Sequence, residues 1–155
     1  MADLTPKQAQ EIIKQKIITA ICSDSIKNVI SELHRQAIQT EVYDSYNPTQ
    51  YNRRYNNNGL MDDDNIDWDV QLDDNMITLL MKNITKPINS NLSSDDLMNI
   101  IESGGGYDWE NSNIYKSMPY PRPFIQRTRE LIEENIELFI ELLKKELSRN
   151  GLNID

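Results

Sequence analysis

The sequence predicts an α+β fold, in which a small antiparallel sheet packs against a long N-terminal helix and a long C-terminal helix, with one short helix besides. Two patterns carry this prediction. Apolar residues recur at helical spacing near both ends of the chain, whereas apolar and polar residues alternate strictly between Ile66 and Leu72. The length of 155 residues is typical of one domain, so we expect a single domain over residues 1–155.

The first helical region is expected over residues 6–41. Thr5 suits an N-cap, and Pro6 suits the first turn, where a helix does not use its N–H groups. Apolar residues follow at spacings of three and four, and a polar triplet interrupts them. The region is therefore either one long helix or a pair of helices, with Asp24 or Ser25 capping the second.

Residues 42–64 are expected to form an extended loop. The segment is rich in tyrosine, asparagine and arginine, and it contains both a proline and a glycine, which together disfavour a helix. Pro48 holds the residue before it in an extended conformation. Gly59 follows three asparagines and offers a turn in which glycine is free to adopt a positive φ.

A β-hairpin is predicted over residues 65–85. Apolar and polar residues alternate along its first strand, with Ile66, Trp68, Val70 and Leu72 set against Asp67, Asp69 and Gln71. Because successive side chains of a strand point to opposite faces, one face should be apolar and the other acidic. Residues 73–75 suit a tight turn, and the apolar run after them suits the second strand.

Two further helices complete the predicted fold. A short helix is expected over residues 95–103, because polar capping residues precede it and the glycines from Gly104 to Gly106 end it. An irregular stretch with three prolines follows. The C-terminal helix is expected over residues 121–150, from one apolar stripe at helical spacing and a glycine stop at Gly151.

The composition disfavours several classes of protein. No run approaches the 18 apolar residues of a membrane span, and the first residues lack the pattern of a signal peptide. Cys22 is the single cysteine, so no internal disulfide can form, which favours folding in a reducing cytoplasm. His34 is the single histidine, and we interpret it as a structural residue on a helix flank. With no nucleophile motif and no set of zinc ligands, we expect no enzymatic activity, no metal and no cofactor.

The net charge of −9 belongs to the middle of the chain, because residues 61–112 contain twelve Asp or Glu and only two Lys or Arg. Such a surface repels phosphate, so ordinary nucleic-acid binding is disfavoured. The candidate acidic surface comprises Asp62, Asp63, Asp64, Asp67 and Asp69. These carboxylates could hold a cation, but the pattern of a calcium-binding loop is absent, so a solvated surface is favoured.

A pair of arginines forms a second candidate site. Arg53 and Arg54 lie between Tyr51 and Tyr55, an arrangement that could stack on nucleic-acid bases. Two arginines are few for that role in an acidic chain, and tyrosine and arginine also anchor protein–protein interfaces. A contact with a partner protein is therefore favoured. The glycine run after residue 103 is interpreted as helix termination, since no phosphate-binding motif surrounds it.

Two blocks of residues point to a known family. The first block consists of Val42-Tyr43, Tyr46-Asn47-Pro48, Tyr51, Arg53-Arg54, Gly59-Leu60, Asp62 and Asn65-Ile66. The second consists of Ile100 to Gly104, Tyr107-Asp108-Trp109 and Arg122-Pro123-Phe124, which leads into a long amphipathic helix. In these blocks and in the order of its elements, the chain resembles the small neck proteins of long-tailed bacteriophages, also known as tail-completion or head–tail joining proteins.

The resemblance implies a virion structural subunit that forms a ring, of six copies, around the DNA channel where head joins tail. Its partners would be other copies of itself, a connector or head-completion protein, and a tail-terminator or tail-tube protein. DNA would pass through without specific binding, and no membrane would be involved. The protein would be assembled in the cytoplasm of the bacterial host and would end in the neck of the virion.

The resemblance also implies roles for particular residues. A loop that reaches toward a neighbouring subunit would contain Tyr46, Pro48, Tyr51, Arg53, Arg54 and Tyr55. Structural residues would be Trp68, Arg122, Pro123 and Phe124. Of these, the Arg-Pro-Phe triplet would fix the entry of the last helix into the core, with Phe124 buried. The asparagine run and the aspartate run beside this loop depart from the family pattern, so no contact is carried over to them.

Three functions follow as alternatives. In a ring, an acidic lumen formed by the Asp62–Asp64 loop or by the strand face with Asp67, Asp69 and Gln71 would repel the DNA backbone, so that DNA slides through without binding. These aspartates could instead face outward or meet a basic neighbouring ring. Alternatively, an acidic protein that mimics DNA would occupy the basic groove of a DNA-binding protein, but such a mimic needs spaced carboxylates over a large surface, and here they are concentrated in about a third of the chain. A small enzyme with an acidic metal site is disfavoured by the absence of paired histidines.

Overall fold

The computed structural model describes residues 4–45, 47, 52–88, 90–105 and 120–154. It confirms the α+β class, with a two-stranded antiparallel sheet and helices on both sides of it in the sequence. The elements are α1 Pro6–Ile21, α2 Asp24–Ile38, a π-helical turn Gln39–Tyr43, a 3-10 turn Asp63–Asn65, β1 Ile66–Asp73, β2 Met76–Asn83, α3 Ser94–Ser103, α4 Phe124–Glu134 and α5 Ile136–Arg149. No helix within the described ranges is long and apolar enough to cross a membrane.

The contacts of the described residues group into two compact units. The first unit draws on residues 1–30, 69–80 and 135–155, and the second on residues 31–68 and 81–134. In the second unit, the buried core consists of Ala37, Ile38, Val42, Tyr43, Leu60, Met98, Phe124 and Leu131. The first unit buries Ala20, Ile26 and Leu147. A single domain over the whole chain stays a prediction.

The N-terminal helical region is a pair of helices. A capping box starts α1, because the Thr5 hydroxyl accepts a hydrogen bond from the Gln8 backbone N–H at 3.3 Å, while the Gln8 side chain accepts one from the Thr5 N–H at 2.9 Å. The break falls after Ile21, and α2 begins at Asp24, whose negative charge suits the first turn of a helix. Ser25 lies inside α2 and donates its hydroxyl to Glu146 at 2.8 Å, so it does not cap the helix.

A π-helical turn extends α2 beyond its predicted end. The Asp44 backbone N–H donates to the Gln39 carbonyl at 2.8 Å, five residues earlier, so one extra residue is accommodated in the turn. Val42 and Tyr43, expected at the start of the loop, belong to this turn and are buried at 8% and 7% exposure. A π-helical turn at this position could not be predicted from the sequence, because the helical spacing of apolar residues ends before it.

The hairpin has the predicted alternation in β1. Its strands join through a two-residue turn at Asp74 and Asn75, and the Ile84 N–H donates to the Asn65 carbonyl at 2.7 Å. Both features place Asn65 opposite Ile84, so Trp68 faces Met81 across the ladder. One face therefore carries the apolar side chains of β1. The other carries Asp67, Asp69 and Gln71, all of them exposed.

The short helix α3 is capped at both ends. Ser93 and Asp96 form a capping box, with the Asp96 N–H donating to the Ser93 hydroxyl at 3.1 Å. The hydrogen bonds from Ser93 lower the pKa of the Asp96 carboxyl. At the other end, Gly104 takes a left-handed conformation with φ +69°, and its N–H donates to the Ile100 carbonyl at 2.9 Å. The expected glycine stop is therefore in place.

Replacing Gly104 with alanine should lower the free energy of unfolding by at least about 2 kcal/mol. A Cβ there would overlap the Tyr120 carbonyl carbon and would lie 2.5 Å from the Pro121 nitrogen, and the positive φ adds its own penalty. Urea denaturation measures the change. The control is Gly105→Ala, whose Cβ would meet only the Ser103 hydroxyl at 3.5 Å, so its effect should stay within about 0.5 kcal/mol. Equal effects of the two variants would contradict the argument.

The C-terminal helical region differs from the prediction of one helix, because it divides at Asn135. This residue has φ −109° and ψ 21°, outside the helical range, and it separates α4 from α5. Asparagine has a low helix propensity, which suits a position between two helices, although the Asn135 side chain makes no capping hydrogen bond to α5. A residue of α3 caps the start of α4. The Glu102 carboxylate accepts hydrogen bonds from the Ile125 and Gln126 N–H groups at 3.0 and 2.9 Å.

Candidate interaction surface

The arginine pair of the tyrosine-rich loop is held by bonds within the chain. Arg53 donates to the Tyr43 carbonyl at 2.5 Å, and its guanidinium lies 5.0 Å from the centre of the Tyr43 ring. The Tyr55 ring meets the same ring edge-on, with centroids 4.7 Å apart. Arg54 donates to the Lys86 carbonyl at 2.8 Å. Both arginines therefore shape the loop from inside the second unit.

Tyr43 is the buried centre of this cluster. Burial raises the pKa of its hydroxyl to about 12, although the neighbouring positive charge of Arg53 acts in the opposite direction. Tyr55 is 44% exposed, so among the residues of this cluster it offers a ring to the surface. Tyr46, Pro48 and Tyr51, which complete the predicted partner loop, lie outside the described residues. A contact between this loop and a neighbouring subunit stays a prediction.

Gly59 is required for a different reason from the one expected. Positive φ values occur at Tyr55 and Asn58, at +48° and +57°, and not at this glycine. Instead, Gly59 is buried against the backbone of the preceding turn, where a Cβ would overlap the Tyr55 carbonyl oxygen and would lie 2.8 Å from its nitrogen. Close approach of two backbone segments selects glycine here. Sequence patterns do not distinguish this cause from a left-handed turn.

The three consecutive aspartates have three different environments. Asp62 accepts hydrogen bonds from the Asn58 N–H at 2.5 Å and the Asp64 N–H at 3.1 Å, so it closes the loop and caps the 3-10 turn. Asp63 forms an ion pair with Arg35 of α2. Asp64 is exposed. Two of the three aspartates thus make contacts within the second unit, and the run is not a uniform acidic patch.

Asp67 and Asp69 lie on the exposed face of β1. Each carboxylate accepts a hydrogen bond from the backbone N–H of the next residue, at 2.9 and 2.8 Å. Lys82 lies opposite Asp67 in the ladder, but its ammonium pairs with Asp95 at 2.8 Å. Among the described residues, no group of three acidic, histidine or cysteine side chains is placed to hold a metal ion. The aspartates of β1 therefore present charge to solvent.

His34 is a buried polar residue of the second unit, and its environment differs from the expected helix flank. The residue is 2% exposed, and its ring lies 5.6 Å from the Phe124 ring. Helical spacing contained a signal for this position, because His34 precedes the buried pair Ala37 and Ile38 by three and four residues. Histidine is classed as a polar residue, so its position on the buried face of α2 was not recognised from the sequence.

Two hydrogen bonds fix the tautomer of His34. The Asn83 amide nitrogen lies 3.1 Å from Nε2 and can only donate, so Nε2 accepts and the proton sits on Nδ1. Nδ1–H then donates to the Thr128 hydroxyl at 2.9 Å, and this hydroxyl donates to the Phe124 carbonyl at 2.7 Å. Asn83 also donates to the Leu60 carbonyl at 2.8 Å. The imidazole thus joins α2, β2 and α4.

The charge state of His34 follows from its burial. Desolvation lowers the pKa of the imidazole from 6.5 to about 4, and the neighbouring Arg35 charge adds to this effect. The ring is therefore neutral at pH 7. Since both ring nitrogens are engaged within the core, the arrangement suits a structural connection, and it leaves no nitrogen to exchange a proton with a bound substrate.

The Arg-Pro-Phe triplet lies where the chain enters α4. Arg122 is 3% exposed, donates from Nε to the Ser45 hydroxyl at 3.1 Å, and lies over the Tyr120 ring at 4.9 Å. Pro123 is half-buried and Phe124 is fully buried. On the apolar face of β1, Trp68 is half-buried. The triplet thus anchors α4 against the π-helical turn and the residues that follow it.

Comparisons with known proteins give a family and a near full-length relative. A family model described as YomN matches residues 5–149. The SPbeta prophage-derived uncharacterized protein YomN of Bacillus subtilis strain 168 is 26% identical to this chain over 156 residues, which cover 97% of this chain and 98% of that protein. No solved structure matches significantly. The relative suggests that this chain is phage-derived.

Proposed function

This chain belongs to the YomN family, and from that premise we propose that it is a non-enzymatic structural protein of a bacteriophage virion, a ring-forming subunit of the neck. The observation that carries the proposal is the similarity to a prophage-derived protein over nearly the full length of both chains. The resemblance of the tyrosine-arginine block and of the Arg122–Phe124 block to neck proteins narrows the role to tail completion or head–tail connection.

The geometry of the candidate sites supports a structural role. The arginines of the tyrosine-rich loop and the single histidine are used for internal bonds, and the described acidic residues form no cluster suited to a metal. The exposed carboxylates of Asp67 and Asp69 lie on one strand face. In a ring, that face would line the channel and repel the phosphate backbone, so that DNA moves through without specific binding.

The partners follow from this role. Six copies would form the ring, which would contact a connector or head-completion protein on one side and a tail-terminator or tail-tube protein on the other. Assembly would take place in the cytoplasm of the bacterial host, and the finished ring would reside in the virion neck without a cofactor.

Light scattering after size exclusion, followed by negative-stain microscopy of the purified protein, tests the proposal. We expect closed rings with a central channel. In a reconstruction, Asp67 and Asp69 should face this channel, and a position on the outer rim would overturn the proposed role of these aspartates. A monomer that blocks a DNA-binding enzyme would contradict the neck assignment and would support the acidic DNA mimic instead.

A further inference from the structure

We propose that the N-terminal halves of α1 and α5 form the contact between copies of this chain, with α1 of one copy against α5 of the next. The inference rests on the proposed function, because a ring requires a surface through which one subunit meets another. This surface lies in the first unit, and its apolar side chains and flanking charges fit a second copy of the chain. Each of the two helices contacts a different helix of the neighbouring copy.

The apolar stripe of α1 is fully buried only at its C-terminal end. Ala9, Ile13, Ile17 and Ala20 follow one another at spacings of four, four and three, so they share one face of the helix. Ala20 at the C-terminal end is fully buried, whereas Ile13 is 46% exposed and its neighbour Ile12 is 42% exposed. The stripe is therefore core at its C-terminal end, whereas in its first half Ile13 is open to solvent beside the half-buried Ala9.

Along the apolar stripe of α5, side-chain exposure also rises from the C-terminal end toward the N-terminal end. Ile136, Ile140, Leu143 and Leu147 lie on one face, at spacings of four, three and four. Leu147 is 4% exposed, whereas Ile136 and Ile140 are 52% and 49% exposed. Single exposed apolar residues are ordinary, but a continuous apolar stripe that runs out of a core into solvent marks a surface for another protein.

Contacts within the unit explain why the stripes are covered only in part. Helices α1 and α5 pack against each other, and a Cβ on Gly151, just beyond α5, would lie 3.2 Å from the Lys16 ammonium in the second half of α1. The burial of Ala20 and Leu147 places this packing near the C-terminal ends of both helices. The N-terminal halves extend beyond the region that the two helices cover for each other.

Charge identifies the occupant. The first half of α1 and the residues just after it carry Lys7, Lys14 and a single acidic residue, Glu11. The first half of α5 carries Glu137 and Glu141, and its first cation is Lys144. An open apolar surface flanked by lysines and one flanked by glutamates are therefore present on the same chain. Each is the complement of the other, so a second copy satisfies both.

The symmetry of this contact suits a ring. Because α1 and α5 are different surfaces, their contact is heterologous, and each copy keeps one of each surface free for the next copy. Repetition of such a contact closes a ring of identical subunits when the rotation between neighbours divides a full turn, and it otherwise gives an open filament. The same two surfaces used reciprocally would give a dimer, which the oligomeric state distinguishes.

Charge reversal tests the inference on the full-length protein. Lys7→Glu with Lys14→Glu makes α1 acidic, and Glu137→Lys with Glu141→Lys makes α5 basic. Each pair alone should weaken self-association by about tenfold or more, because like charges then face each other across the contact. All four substitutions in one chain should restore assembly. The control for the α1 pair is Lys86→Glu with Arg129→Glu. It makes the same change of charge as the α1 pair, at exposed sites of the second unit, and should leave assembly unchanged.

A second variant tests the apolar part of the contact. Ile140→Asp should abolish assembly, while Ile88→Asp, at a side chain that is 59% exposed in the second unit, should not. Circular dichroism melts verify that each variant is folded. If the wild type forms rings and every variant forms the same rings, this inference is overturned and the neck proposal still stands. A wild-type protein that stays monomeric at all concentrations would overturn both, and a dimer broken by these substitutions would support the contact while contradicting the ring.

Discussion

Replacing Phe124 with alanine should lower the free energy of unfolding by about 3–5 kcal/mol, the range found when a buried aromatic side chain is truncated. Phe124 is fully buried at the start of α4 and belongs to the same core cluster as Ile38 and Leu131. Its ring also lies beside the His34 ring. Truncation would therefore open a cavity under the end of α2 and beside the buried polar network, where the surroundings cannot collapse without loss of hydrogen bonds.

Urea denaturation, followed by circular dichroism, measures this loss. Ile88→Ala is the control, because this side chain is 59% exposed and its removal should change stability by less than about 0.5 kcal/mol. A loss of only about 1 kcal/mol for Phe124→Ala would mean that the ring is not a central part of the core.

Acid should destabilise the protein through His34. Its pKa is about 4 in the folded protein and 6.5 in the unfolded chain, so the unfolded chain binds the proton more readily. The contribution of the neutral imidazole is therefore fully present above pH 6.5 and is lost progressively as the pH falls toward 4. At lower pH the loss reaches about 3 kcal/mol, from roughly 1.4 kcal/mol per pKa unit.

Two measurements isolate this effect from the titration of carboxylates. Because the chain has one histidine, a single imidazole signal in an NMR titration reports its pKa directly. In parallel, the stability of His34→Gln should fall less between pH 6.5 and 4 than that of the wild type, since the carboxylates are common to both proteins. An imidazole that titrates near 6.5, or stability curves that run parallel, would contradict a neutral buried ring.

Local sequence patterns were sufficient for much of the fold. The alternation in β1, the cap at Thr5 and the stop at Gly104 each depend on residues within a few positions of one another, and such features can be predicted from spacing alone. The break between α1 and α2 was one of two open alternatives. It depends on a polar interruption whose effect is decided by the packing on either side.

Features that depend on distant residues were not predictable. Glu102 caps a helix that begins more than twenty residues later, and Gly59 is required by the approach of a neighbouring turn. The burial of His34 depends on Asn83 and Thr128, which lie far from it in the sequence. The resemblance, by contrast, gave the phage association that the prophage-derived relative suggests.

The cap that Glu102 provides for α4 also bears on the order of events during synthesis. The chain is made from its N-terminus, so α3 emerges before the first turn of α4 and can form around its own capping box. Glu102, whose carboxylate accepts from the Ile125 and Gln126 N–H groups, therefore leaves the ribosome before these residues do. An isolated helix as short as α3 is marginal in water, so we expect α3 and the first turn of α4 to become stable together through this cap.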